Sequence, residues 1–181
     1  MKKLTLEYTQ YKNLVANLCQ KITVSGWIPD YVVGISRGGL LAATMISHYL
    51  EVPMRPLQVS LRDGECVSDL GIAVDAYGQN TDQVINPMEL INDSFPKNIL
   101  IVDDINDTGA TFNWIMEDWP SGCFPTDPVW KEVWNNNVKF AVTIDNLASK
   151  CNVKMDYTGM EINKAEDDVW VEFPYEVWWK N

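Results

Sequence analysis

The stretch ILIVDDINDTGATF, residues 99–112, decides the fold of this chain. It begins with four apolar residues, a run typical of a strand buried on both faces, and these lead directly into Asp103 and Asp104. A third carboxylate and a run of small residues, DTGAT at 107–111, then open an apolar helical pattern. Because ligands of open parallel sheets bind beyond the carboxyl ends of the strands, the stretch predicts a strand that delivers polar groups to a binding site.

A second turn has the same arrangement farther upstream. The segment SRGGL, residues 36–40, follows the β-rich stretch YVVGIS and precedes the apolar helix LLAATMISHYL. Strands and helices alternate around both turns, which predicts an α/β fold with a doubly wound, mostly parallel sheet in one domain, residues 1–181. The further predicted elements are a helix over residues 6–24, the strands MRPLQVSLR, VKFAVTID and VWVEFPYEVWW, and the helix GATFNWIMEDW.

Charge and composition exclude several classes of protein. With 25 acidic against 14 basic residues the net charge is −11, which argues against nonspecific nucleic-acid binding. No apolar run is long enough to cross a bilayer, so no membrane partner is expected. The start MKKLTLEYTQ turns polar too early for a signal peptide, and a cytoplasmic location is expected. The four cysteines are widely scattered, which favours free thiols over a zinc site.

The residues at the end of the 99–112 stretch suit a sugar phosphate. Asp103 and Asp104 offer acceptors to sugar hydroxyls, or oxygen ligands to a hard cation. The turn at 107–111 opens a helix, where backbone amides and the helix dipole favour a phosphate. The structural alternative is that Asp107 only caps the helix and that the acid pair is a solvated strand end.

The motif as a whole is far more specific than any of its parts. ILIVDDINDTGAT resembles the phosphoribosyl-pyrophosphate signature of the type I phosphoribosyltransferases, and VVGISRGGLLA is similar to the pyrophosphate loop of that family. The two motifs occur in the expected order, each on a strand-to-helix turn. The resemblance implies the type I phosphoribosyltransferase fold, with a small hood formed by chain-terminal segments. It also implies transfer of phosphoribose from phosphoribosyl pyrophosphate to a nucleobase, with release of pyrophosphate.

The resemblance assigns roles residue by residue. Asp103 and Asp104 match the acids that bind the ribose hydroxyls, and they are also the expected contacts of a magnesium ion. The pyrophosphate loop corresponds to Ser36, Arg37 and Gly38. The loop for the ribose 5-phosphate corresponds to Asp107, Thr108, Gly109, Ala110 and Thr111.

Two features point to an oxopurine as the accepted base. Relatives that use oxopurines have an acid at the position of Asp107, where it assists proton transfer at purine N7 as a general base. The ending DDVWVEFPYE also resembles that of the xanthine, guanine and hypoxanthine enzymes. By this resemblance Trp170 stacks on the purine and Val171 contacts the base edge through its backbone. Relatives that use oxopurines often place a lysine after the strand corresponding to VKFAVTID, where it contacts the exocyclic oxygen of the purine. Here that place reads DNLASK, without a lysine at the usual position, which leaves Asn146 or Lys150 as substitutes.

Three segments carry further expectations. Residues 61–92, polar and rich in Gly and Asp, are expected to form a flexible loop, and residues 150–181 the hood that recognises the base. The Trp-rich segment 114–134 either lines an oligomer interface or packs on the sheet. By analogy with the family, a homo-oligomer is expected, either a dimer or a tetramer.

Three other functions compete with an oxopurine phosphoribosyltransferase of purine salvage. The first is a regulator that binds phosphoribosyl pyrophosphate without chemistry. The second is a transferase for orotate, uracil or adenine, against which Asp107 and the Trp170 ending speak. The third is an unrelated metal-dependent protein that handles phosphate, which the matched SRGGL turn disfavours. The sequence does not rank hypoxanthine, guanine and xanthine.

Overall fold

A six-stranded sheet forms the centre of the molecule. The computed structural model describes residues 2–61, 64–78 and 96–180. The strands of this main sheet are β2 (Tyr31–Ser36), β3 (Met54–Ser60), β4 (Glu65–Cys66), β5 (Ile99–Asn106), β6 (Val138–Asn146) and β7 (Tyr157–Ile162), in the order β4-β3-β2-β5-β6-β7. Strands β3, β2, β5, β6 and β7 are parallel, and the short β4 pairs antiparallel with β3.

Helices cover both faces of the main sheet. They are α1 (Tyr8–Ser25), α2 (Gly39–Leu50), α3 (Leu70–Tyr77), α4 (Ala110–Gly122) and α5 (Trp130–Val133). Helices α1 and α2 pack on one face, in the same apolar cluster as Val32 and Leu100, whereas α3, α4 and α5 pack on the other with Val33 and Ile101. Consecutive strand residues thus point to opposite covered faces, which explains the uninterrupted apolar runs. The predicted doubly wound fold is confirmed.

The first helix shows how the pattern determines the packing. The apolar residues of α1 recur at helical spacing, and Tyr11, Val15, Leu18 and Ile22 are all buried. The helix ends at Gly26, whose φ of 69° lies in the left-handed region that glycine adopts readily. Within the described ranges, no helix combines the length and apolar character needed to span a membrane.

A second, two-stranded sheet joins the two ends of the chain. Strand β1 (Lys2–Thr5) pairs in parallel with β8 (Val169–Glu172), and this pair forms the hood that was expected from chain-terminal segments. The expected start of the hood at residue 150 is wrong, because β7 pairs with β6 as the edge strand of the main sheet. The hood on the carboxyl side therefore begins after β7.

The segment predicted as a flexible loop, residues 61–92, is only partly described. Residues 70–77 form α3, capped by the Asp69 side chain, which accepts a hydrogen bond from the Ile72 amide at 3.1 Å. The interpretation as one long loop is therefore wrong for α3, whose buried Ile72 and Ala76 pack on the sheet. Residues 62–63 and 79–95 lie outside the described residues, so for them the loop stays a prediction.

The Trp-rich segment packs on the main sheet. The ring of Trp134 stacks on Trp130 at 5.6 Å between centroids and on Phe140 of β6 at 6.1 Å. Trp119 of α4 is fully buried and lies 5.8 Å from Trp134. Of the two hypotheses for residues 114–134, these contacts support packing on the sheet for the three tryptophans.

Candidate active site

A cavity of about 500 Å³ opens at the carboxyl ends of the parallel strands, under the hood. Its lining comes from the end of β3, the segment 103–112 at the end of β5, Lys164 after β7, and the β8 region. This is the edge of the sheet at which ligands of such folds bind. From the hood, the cavity is lined by Trp170, Val171, Phe173 and Glu176.

The acid pair lies at the end of β5 in a largely buried position. The Asp103 carboxylate accepts a hydrogen bond from the Asp104 amide at 2.9 Å, and the Asp104 carboxylate accepts one from the Ile105 amide at 2.8 Å. Burial raises the pKa of Asp103 well above the ordinary value, and the charge of Asp104 adds to the effect. Burial also raises the pKa of Asp104. Both carboxylates line the cavity, so acceptors are available where the sugar was expected.

A tyrosine from the hood contacts the same acid pair. Tyr175 donates a hydrogen bond from its hydroxyl to Oδ2 of Asp104 at 2.6 Å. Burial, together with the nearby charge of Asp104, raises the pKa of Tyr175, so this hydroxyl stays protonated and remains a donor. This bond lowers the pKa of Asp104 and opposes the effect of burial.

The predicted pyrophosphate loop lies against the acid pair. A Cβ atom at Gly38 would overlap the Asp104 carboxylate, and one at Gly39 would overlap the backbone of β5, so only glycine permits this approach. The peptide bond between Ser36 and Arg37 is cis. The Arg37 side chain is exposed, and none of the residues 36–38 lines the cavity. The turn thus lies close to the acid pair, whereas its role as a pyrophosphate loop and the contribution of Arg37 stay predictions.

The predicted phosphate loop, residues 107–111, lines the cavity along its full length. Gly109 has a φ of 86°, and a Cβ atom there would overlap the backbone of Cys151. The Thr108 carbonyl accepts a hydrogen bond from the Lys150 amide at 3.0 Å, which ties the loop to the segment after β6. The loop opens α4, so it presents the amino-terminal end of a helix of 13 residues to the cavity.

A lysine that belongs to none of the predicted motifs enters the site. Lys164 places its ammonium 2.7 Å from Oδ1 of Asp107, and its side chain is only 17% exposed. Its amide donates to Oδ1 of Asn146 at 3.0 Å, and the Asn146 amide group donates to the Asp107 carbonyl at 2.7 Å. The Asn146 side chain is therefore hydrogen-bonded to the backbone of both Asp107 and Lys164.

Neither substitute suggested for the missing lysine faces the cavity. Asn146 uses its side-chain oxygen and nitrogen for backbone partners and is buried, and Lys150 is exposed and does not line the cavity. The sequence signal for Lys164 is its position in EINKAE, directly after the strand YTGMEI. That strand, β7, is not among the predicted elements, so the lysine could not be placed.

The residues expected to bind the base lie on the hood side of the cavity. Trp170 is half-buried and lines the cavity, while Val171 is buried and contributes to both the cavity lining and the core beneath it. On β8 they pair with Lys3 and Leu4 of β1. The cavity therefore contains an aromatic side chain together with the Asp107–Lys164 pair.

The acid pair is a suitable partner for magnesium. Magnesium in proteins usually takes one or two carboxylates, substrate phosphates and several waters, so two carboxylates are sufficient. Asp103 is buried and Asp104 is half-buried, and within the described parts of the chain neither forms an ion pair with a lysine or arginine. No group of three or more potential metal ligands occurs among the residues described.

This combination of sheet, strand-end acids and loops is found in a known class of proteins. Residues 7–177 match the phosphoribosyl transferase domain family, and the chain belongs to that family. The expectation drawn from the two sequence motifs is thus confirmed at the level of the family.

Several proteins with solved structures or known names are similar to this chain. The hypoxanthine-guanine phosphoribosyltransferase of Saccharomyces cerevisiae is 28% identical over 120 residues, which cover 62% of this chain and 54% of the yeast protein. The matched region spans about half the length of that relative. A purine phosphoribosyltransferase from Pyrococcus horikoshii superposes with a TM-score of 0.61 and 22% identity, covering 97% of this chain and 95% of the other.

A second solved structure supports the same fold. The xanthine-guanine-hypoxanthine phosphoribosyltransferase of Helicobacter pylori superposes with a TM-score of 0.63 and 15% identity, over 98% of this chain and 95% of the other. At such low identity these likenesses show the fold, and the expected type I phosphoribosyltransferase fold is confirmed by them.

Proposed function

We propose that this protein transfers the 5-phosphoribosyl group of phosphoribosyl pyrophosphate to a 6-oxopurine, releasing pyrophosphate, as an enzyme of purine salvage. The observation that carries the proposal is the Asp107–Lys164 pair, 2.7 Å apart, in the cavity that Trp170 also lines. The names of the similar yeast, Pyrococcus and Helicobacter proteins support the same class of reaction.

The pair suits the edge of an oxopurine. On that edge, N7 lies beside the oxygen at position 6, whereas adenine presents an amino group next to N7. A carboxylate at Asp107 accepts the proton carried by N7, and the Lys164 ammonium donates to the adjacent oxygen. Lysine has only donors, so the amino group of adenine would face Lys164 without a hydrogen bond. The pair therefore favours hypoxanthine, guanine or xanthine over adenine.

The rest of the cavity provides for phosphoribosyl pyrophosphate. Asp103 and Asp104 accept hydrogen bonds from the ribose hydroxyls, and the amides and hydroxyls of residues 107–111 hold the 5-phosphate. The Ser36–Gly38 turn does not line the cavity itself but lies against the Asp104 carboxylate, and its sequence motif assigns it to the pyrophosphate. Magnesium, when bound at Asp103 and Asp104, offsets the negative charge of the leaving pyrophosphate.

The chemical step follows from these positions. N9 of the purine bonds to the anomeric carbon, the carbon–oxygen bond to pyrophosphate breaks, and the leaving oxygen takes its electron pair. The N7 proton passes to Asp107, whose carboxylate acts as general base. Trp170 covers the flat base and holds it in line with the sugar. Catalysis is chiefly positioning and electrostatic stabilisation.

The test is pyrophosphate release with phosphoribosyl pyrophosphate and magnesium, measured separately with hypoxanthine, guanine, xanthine, adenine and orotate. Release with one or more of the 6-oxopurines, with the matching nucleotide as product, is the expected result. Release only with adenine or orotate would overturn the proposed base. Binding of phosphoribosyl pyrophosphate without release for any base would identify a regulator instead.

A further inference from the structure

A hydrogen bond connects the hood to the acid pair at the end of β5. Tyr175 donates to Oδ2 of Asp104 at 2.6 Å, although the two residues are 71 positions apart in the sequence. Tyr175 lies in the 3-10 helix Pro174–Glu176, directly after β8, and β8 carries Trp170. The segment expected to hold the purine is thus connected to a residue expected to hold the ribose.

The position of the Tyr175 ring is determined by other aromatic rings. It stacks on Phe173 with centroids 5.4 Å apart and planes 11° apart. Tyr11 of α1 meets it edge-on at 5.6 Å, and Tyr11 also meets Phe173 edge-on at 6.1 Å. Because Tyr11 and Phe173 are buried, the ring has little freedom to turn its hydroxyl away from Asp104.

The Asp104 carboxylate depends on this donor for its orientation. Its Oδ1 accepts from the Ile105 amide at 2.8 Å, and its Oδ2 accepts from Tyr175. The backbone at Gly38 lies so close to Oδ2 that a Cβ atom there would overlap it. Three segments, the pyrophosphate loop, β5 and the hood, therefore meet at one carboxylate.

We propose that Tyr175 is a positioning residue for phosphoribosyl pyrophosphate. It orients Asp104 toward the ribose, and cosubstrate binding therefore depends on the contact between the hood and Asp104. This role rests on the proposed function, because it assigns the ribose to Asp104. It predicts that loss of the Tyr175 hydroxyl alters cosubstrate affinity more than base affinity.

The chain offers a matched pair of variants for the test. Tyr175→Phe removes the donor and keeps the stacked ring. Tyr11→Phe removes a hydroxyl from the same aromatic cluster, and within the described residues that buried hydroxyl has no hydrogen-bond partner. Calorimetric titration with phosphoribosyl pyrophosphate and magnesium is expected to show about ten-fold weaker binding for Tyr175→Phe, since the lost bond is to a charged group. Tyr11→Phe is expected to bind as the unmodified protein does.

Two further measurements separate positioning from a structural role. In steady-state kinetics Tyr175→Phe should raise KM for phosphoribosyl pyrophosphate and leave KM for the purine nearly unchanged. In a double-mutant cycle Tyr175→Phe should have little further effect on cosubstrate affinity once Asp104→Asn is present. Equal losses for cosubstrate and purine, or equal losses in both tyrosine variants, would overturn the role of Tyr175. So would an undiminished effect of Tyr175→Phe in the Asp104→Asn background.

The calorimetry also distinguishes this inference from the proposed function. Binding of phosphoribosyl pyrophosphate that depends on Tyr175, without transfer to any base, would remove the proposed reaction and retain the role of Tyr175. Transfer to a base, with unchanged cosubstrate binding in Tyr175→Phe, would retain the proposed reaction and overturn the role of Tyr175. An unmodified protein that does not bind phosphoribosyl pyrophosphate would overturn both.

Discussion

Lys164 and Asp107 form an ion pair of 2.7 Å between side chains that follow two different strands of the sheet, β7 and β5. Asn146, at the end of the intervening β6, is hydrogen-bonded to the backbones of both residues. Residues from three neighbouring strands of the sheet thus meet beside the cavity, where Asp107 and Lys164 line it. A ligand that displaces part of this ion pair must present a proton to the carboxylate and an acceptor to the ammonium.

The first prediction concerns the choice of base. Lys164→Met keeps an unbranched apolar chain and removes the ammonium, so kcat/KM for hypoxanthine or guanine should fall ten- to a hundred-fold, as about 1.5–3 kcal/mol for a lost charged hydrogen bond implies. Affinity for phosphoribosyl pyrophosphate should change little. Lys150→Met, on an exposed side chain outside the cavity, is the control and should leave both quantities unchanged. A loss of kcat/KM in Lys150→Met but not in Lys164→Met would show that Lys164 does not contact the base.

The elements that sequence alone predicted are those whose pattern is complete within a short segment. Strands β2, β5 and β6 are buried on both faces and carry long apolar runs, and α1 carries a regular helical pattern. The loops at the ends of β2 and β5 carry motifs specific enough to indicate both the family and the strand-end acids.

The elements that were missed depend on distant partners. Strand β1 is four mostly exposed residues whose pairing with β8 brings the two chain ends together. Strand β7 is an edge strand of mixed burial, without an apolar run. Since Lys164 follows β7, its approach to Asp107 depends on the register of three strands, which local sequence does not determine.

The second prediction concerns proton transfer. Asp107→Asn keeps the size of the side chain and removes the basic oxygen, so turnover should fall about 10²- to 10⁴-fold, the usual range for a lost general base. Calorimetric affinity for phosphoribosyl pyrophosphate should remain within a few-fold, because the amides of the phosphate loop are retained. The N-cap of α4 is Gly109 and no side chain caps this helix, so unchanged turnover would mean that Asp107 only holds Lys164.

The third prediction concerns stacking on the purine. Trp170→Ala should raise KM for the purine about ten-fold or more, since stacking of a base on an aromatic side chain contributes roughly 1–3 kcal/mol. Affinity for phosphoribosyl pyrophosphate should change much less, and Trp170→Phe should restore most of the purine affinity. Trp178→Ala is the control, because that side chain is 71% exposed and does not line the cavity. Equal losses for purine and cosubstrate would show that Trp170 serves only to pack the hood.

The fourth prediction concerns the pH dependence of stability, away from the cavity. Tyr77 donates a hydrogen bond to Oδ2 of Asp127 at 2.6 Å, which joins the end of α3 to the segment before α5. That bond lowers the pKa of Asp127 and raises the pKa of Tyr77 to about 12. A carboxyl group whose pKa is lower in the folded state than in the unfolded state stabilises the fold at pH values above its unfolded-state pKa. This contribution is lost as the pH falls through the folded-state pKa. The raised pKa of Tyr77 contributes stability below its unfolded value, and this contribution is lost as the pH rises through about 12.

Tyr77→Phe should therefore unfold at lower urea concentration than the unmodified protein at neutral pH, and the difference should shrink as the pH falls below the ordinary range of an aspartate. Asp127→Asn should lose the same acid-dependent part of the stability, because it removes the titrating group of the pair. Tyr49→Phe, on a side chain that is 56% exposed, is the control and should follow the unmodified protein at every pH. A difference between Tyr77→Phe and the unmodified protein that stays constant from neutral to acid pH would show that the variant acts through packing, since the hydrogen bond to Asp127 requires the difference to depend on protonation.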